Sequence, residues 1–194
     1  MQKFIFLKDL LLITPPFTQL NTPYPATAYL KGFLNTKNIS SYQIDLGIEV
    51  ILEIFSKKGV TEIFNVKPKN LSENAQRIFA LKEEYIKTID EVIAFLQNKK
   101  PTLARQICSM NFLPEASRFN QLDDMEYAFG NMGLQDKAKH LATLYLEDLS
   151  DYIIENVDEN FGFSRYAERL GRSANSFDEL YQKLQSDKTF VDNF

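Results

Sequence analysis

The chain has 194 residues, of which 44% are apolar, 25% charged and 13% aromatic. These values fit an ordinary globular chain and exclude disordered, collagen-like and low-complexity classes. Its net charge of −4 gives no general attraction to nucleic acid or to an anionic membrane surface.

The first segment, Met1 to Asp9, begins like a secretion signal. Lys8 and Asp9 interrupt its apolar run and no small-residue cleavage site follows, so a signal peptide is not expected. Leu10-Leu-Leu-Ile-Thr14 is a continuous apolar run, which predicts a strand buried on both faces. Pro15 to Pro25 holds four prolines in eleven residues and cannot be helical; it reads as a stiffened loop. From Ala26, the positions Ala26, Tyr29, Leu30 and Phe33 repeat at i, i+3, i+4 and i+7, which predicts a helix burying that face. Gly32 inside it costs about 1 kcal/mol relative to alanine, so close packing against a neighbouring backbone is expected there. Ser41 to Asp45 alternates and predicts a second strand.

Ile48, Ile51, Leu52 and Phe55 return to helical spacing, and Gly59 reads as the stop signal. Val60 to Val66 favours a short helix. Beyond it nearly everything is helical: one long helix over 72–98, another from Pro101, and loop over 115–133. A long helix follows over 134–157, then one over 163–171, and a last one after the capping box Ser176-Phe-Asp-Glu179. The expected fold class is α/β but mostly helical. A small, about two-stranded parallel βαβ unit at 1–66 is followed by a helical region at 67–194 that packs on it.

Candidate chemistry is sparse. The single cysteine, Cys108, cannot form an intramolecular disulfide and suits a reducing, cytoplasmic setting. It reads as a small buried hydrophobe. His140, the single histidine, reads as a partly exposed helix residue. The acids from Glu147 to Glu159 read as a solvated helix face, with Arg165, Arg169 and Arg172 available to pair with it. No catalytic residue, metal site, phosphate loop or nucleophile motif emerges, and no membrane span is expected. The proline loop stands apart. It begins at the carboxyl end of the first strand, where βα units place ligands, and a rigid segment there is suited to hold a ligand's shape.

Three stretches carry a resemblance. Leu-Leu-Ile-Thr-Pro-Pro16, Pro23-Tyr-Pro-Ala-Thr-Ala-Tyr-Leu-Lys-Gly-Phe-Leu34 and Tyr-Gln-Ile-Asp45, in that order, resemble the start of radical S-adenosylmethionine enzymes with a cobalamin-binding domain. These enzymes are often called Fe–S oxidoreductases. The resemblance covers roughly residues 8–50. It implies a Rossmann-like unit in which Pro15, Pro16, Gln19, Pro23, Tyr24, Pro25 and Asp45 face cofactor or substrate. It also implies cobalamin, S-adenosylmethionine and a 4Fe–4S cluster for a complete enzyme. The chain departs from the pattern in three ways: the loop after the first strand has no histidine to ligate cobalt, one cysteine cannot replace a Cys-x-x-x-Cys-x-x-Cys set, and only two of the family's Rossmann-type strands are readable. The resemblance therefore implies an N-terminal fragment or module, inactive alone, whose partner is the missing catalytic region. A non-enzymatic module that dimerises through an exposed sheet edge is the alternative.

Overall fold

A computed structural model describes residues 10–16, 25–109, 111–124, 133–159, 161–163, 176–185, 188, 190 and 193–194. It is mostly helical, with a two-stranded parallel sheet. The chain groups into two compact units, Met1–Ile51 with Gly162–Ser186 and Leu52–Phe161 with Asp187–Phe194. Among the described residues no helix is long and apolar enough to cross a membrane. Apart from Phe163, the expected helix at 163–171 lies outside the described residues.

In the first unit, β1 (Leu10–Thr14) pairs in parallel with β2 (Ser41–Asp45), with Leu10 opposite Ser41 and Thr14 opposite Asp45. Between them runs α1 (Pro25–Thr36). Pro25 is its first residue, where a missing N–H costs no helical hydrogen bond. Two burial expectations fail here. β1 is not a buried strand: Leu11 is 56% exposed, and Leu10 and Ile13 are exposed as well. Nor does α1 bury its apolar stripe. Tyr29 is 79% exposed, Leu30 and Phe33 are exposed, and the helix buries Thr27 instead. The reason lies in the side of the sheet that α1 covers. Strand alternation places Leu10, Leu12 and Thr14 of β1 and Ser41, Gln43 and Asp45 of β2 there, and the Thr27 hydroxyl accepts from the Gln43 amide (2.9 Å) and lies 3.4 Å from that of Thr14. The buried contact of α1 is thus the polar one through Thr27, and its apolar stripe stays exposed. Gly32 also differs from expectation, since a Cβ added there would meet nothing within 4 Å.

The helical unit holds almost all of the core. α2 (Leu46–Ile54), which belongs to the first unit as far as Ile51, leads to α3 (Lys57–Asn65), whose N-terminus is capped by the Ser56 hydroxyl accepting from the Gly59 N–H (3.0 Å). Gly59 is therefore not a stop signal after α2. It lies in the first turn of α3, where an added Cβ would come within 2.3 Å of the Glu53 carbonyl oxygen and 2.4 Å of that of Ile54. Val60, Ile63 and Phe64 are buried, which makes α3 part of the helical unit.

The long helix expected over 72–98 is two helices, α4 (Glu73–Ala80) and α5 (Lys82–Leu96). Leu81 breaks the run at φ −92° and ψ 13°, with its N–H still bonded to the carbonyls of Arg77 and Ile78. A 3-10 turn (Pro101–Leu103) opens α6 (Ala104–Cys108), and a 3-10 segment (Ser117–Asp124) precedes α7 (Leu134–Asn156). α7 packs against α4, α5 and α6. Its Leu141, Tyr145, Leu149 and Tyr152 are buried, as are Tyr85, Ile89, Val92 and Phe95 of α5. The Tyr145 hydroxyl donates to the Tyr85 carbonyl (3.1 Å) and pairs with the Thr88 hydroxyl (3.0 Å), so that buried ring carries a satisfied polar end. α8 (Phe177–Gln185), in the first unit, starts as its capping box predicts: the Glu179 N–H donates to the Ser176 hydroxyl (3.2 Å).

The two glycines give opposite expectations. Gly32→Ala stabilises the chain by roughly 0.5–1 kcal/mol, because the helix gains propensity and nothing is displaced. Gly59→Ala destabilises by about 1–3 kcal/mol, because backbone must move to admit the methyl group. Urea unfolding followed by circular dichroism measures both; equal effects would contradict the packing described.

Candidate functional site at the carboxyl ends of the strands

The residues singled out from sequence separate into those the structure places and those outside the described residues. Pro15 and Pro16 follow β1 directly, Pro25 opens α1, and Asp45 closes β2 opposite Thr14. Gln19, Pro23 and Tyr24 lie outside the described residues. The parallel register therefore brings the start of the proline loop and Asp45 to the same end of the sheet, while Pro25 begins the helix between the strands.

Asp45 has a local duty there. Its Oδ1 accepts the Ile48 N–H (3.2 Å), which caps the first turn of α2. Among the described residues its Oδ2 has no hydrogen-bond partner. Beside it, the buried Thr14 and Thr27 hydroxyls and the Gln43 amide form a neutral donor and acceptor set. Such a set can orient a ligand through hydrogen bonds. It contains no nucleophile with an adjacent base.

The remaining candidates resolve differently. His140 is half-buried on α7, as expected. Cys108 is part-buried rather than fully buried; its thiol lies 3.6 Å from the Leu134 carbonyl oxygen, and burial pushes its pKa up, opposite to an activated thiolate. Among the described residues no group of three or more His, Cys, Asp or Glu could hold a metal ion. A 4Fe–4S cluster bound through three thiolates does not fit a chain with one cysteine.

Comparison with known proteins returns no match to any family model, curated protein or solved structure.

The acidic run of α7 is not a solvated face throughout. Asp148 is fully buried and accepts the N–H groups of Ala116 (3.1 Å) and Arg118 (3.2 Å). Asp151 takes two hydrogen bonds from the Arg118 guanidinium (2.8 Å each), and Glu147 lies 3.6 Å from it. Glu155 accepts from the N–H and hydroxyl of Ser72, the cap of α4. The neighbouring Asn156 accepts the Lys69 N–H (3.0 Å). These side chains fasten two connecting segments to α7. Arg118, whose partner role the sequence did not mark, makes this pairing; Arg165, Arg169 and Arg172 lie outside the described residues.

Burial pushes the Asp148 carboxyl up to about 6, against the lowering effect of its two backbone donors. Because the folded chain holds this proton more tightly than the unfolded chain does, Asp148 contributes most at low pH. That contribution falls as pH rises from about 4 to 6, by on the order of 2–3 kcal/mol. Asp148→Asn removes this pH-dependent part. Urea midpoints from pH 4 to 7 should show the wild type losing more stability than the variant over that window; parallel curves would refute the assignment.

Proposed function

We propose that this chain is the N-terminal module of an Fe–S oxidoreductase of the radical S-adenosylmethionine type, inactive alone because it lacks the cluster-binding part. Its β1–α1–β2 segment is read as part of a Rossmann-like, cobalamin-binding-like unit. The observation that carries this reading is the placement of Thr14-Pro15-Pro16 and Asp45 side by side at the carboxyl end of a parallel strand pair. That is where doubly wound sheets bind ligands. The open apolar surfaces of β1 and α1 add support, since a parallel pair is not an independently stable sheet.

Within the complete enzyme, the cluster and S-adenosylmethionine supply radical chemistry, and they are held outside this chain. This module contributes shape. Pro15 and Pro16 restrict the backbone at the strand end, Thr14, Thr27 and Gln43 fix the first turn of α1, and Asp45 offers its second carboxylate oxygen to a ligand hydroxyl or amide. With no histidine in the strand-end loop, cobalamin bound here would lack a lower axial imidazole from that loop.

Two measurements test the reading. The reading frame beyond Phe194, or a neighbouring frame, should encode Cys-x-x-x-Cys-x-x-Cys; its absence removes the proposal. In a polypeptide joining that region to this chain, Asp45→Asn keeps the helix cap, since asparagine caps as well as aspartate. Turnover should then fall about tenfold or more at unchanged stability. Unchanged turnover would leave Asp45 a cap only.

A further inference from the structure

We infer that the isolated chain forms a two-fold dimer in which α8 of each copy lies on the open sheet face of the other. Strand alternation puts Leu11 and Ile13 of β1 and Tyr42 of β2 on the face opposite α1. All three are exposed, and the face carries no charge. A parallel sheet is ordinarily covered by helices on both faces, so the missing layer is helical. The same unit holds a helix of the matching kind. α8 presents Phe177, Tyr181 and Leu184 at i, i+4 and i+7, and they are 76%, 54% and 73% exposed. Three large apolar side chains on one stripe complement a face of the same size and character.

Area decides the occupant. The open sheet face alone offers each copy far less than a stable interface needs. Sheet face and α8 stripe together offer about 700 Å² per copy, close to the roughly 800 Å² that each partner buries in a standard complex. Only a reciprocal arrangement engages both on both copies, and a two-fold axis supplies it, because every contact then occurs twice. Edge-to-edge pairing of two β1 strands leaves the apolar face open, and water already satisfies an exposed strand edge. Burial therefore favours helix on sheet over strand on strand.

Sedimentation of the full chain at micromolar concentration should give twice the 22.5 kDa mass. Leu11→Lys, in the sheet face, and Tyr181→Lys, in the helix stripe, should each be monomeric with unchanged far-ultraviolet circular dichroism. Leu134→Lys, an exposed apolar position in the helical unit, should remain dimeric. A monomeric wild type or dimeric single variants would each overturn the inference. The outcome is independent of the module reading: a monomer leaves the cysteine-motif test untouched, and a missing motif leaves the dimer standing.

Discussion

A parallel strand pair cannot close on itself. Its two faces need separate covering layers, and its connections supply only as many helices as the chain provides nearby. In this protein α1 covers one face of β1 and β2 through Thr27, and the other face stays open. Much of the rest follows from that constraint. The large apolar side chains that are exposed lie almost entirely in the sheet-containing unit, while the buried core lies almost entirely in the helical one. A unit of this kind gains its stability from whatever completes it. The helical unit, with Tyr85, Ile89, Tyr145 and Tyr152 fully buried, has a core of its own.

The helical unit also shows how acids can serve as fasteners. Asp148, Asp151, Glu155 and Asn156 occur along one helix; the first two receive donors from Ala116 and Arg118, the last two from Ser72 and Lys69. The exposed Arg118–Asp151 pair contributes little by itself, because solvent screens it. The buried Asp148 matters more, since removing it would strand two backbone N–H groups away from water. The loops before α4 and before the 3-10 segment are thus held at fixed positions without regular secondary structure.

Most elements were legible from the sequence, because their signals are local. The proline cluster, the apolar run of β1, the alternation of β2, the capping box at Ser176 and the stripe of α7 each locate an element. Burial was less legible, because it depends on what stands opposite. The Ala26–Phe33 stripe announces a helix but not its partner, and the structure docks that helix by Thr27. Asp148 sits among six acids in thirteen residues, with nothing local to distinguish it from its solvated neighbours. Gly59 carries the same letter as a helix stop. Only the approach of the Glu53 and Ile54 carbonyls reveals why a side chain is unwelcome there. At the strand ends, Pro15, Pro16 and Asp45 were found by position, while the capping duty of Asp45 depends on where α2 begins.

The uneven distribution of core has a consequence during synthesis. The strands precede the helices that can bury anything, and α7, which completes the helical core, ends about 110 residues after β2; at ordinary elongation rates that is a delay of roughly 5–20 seconds. Leu11, Ile13 and Tyr42, exposed in the folded chain, are made early in that interval. For this chain the interval before the helical core closes is a period of exposure, in which the apolar strand residues are available to nascent-chain chaperones.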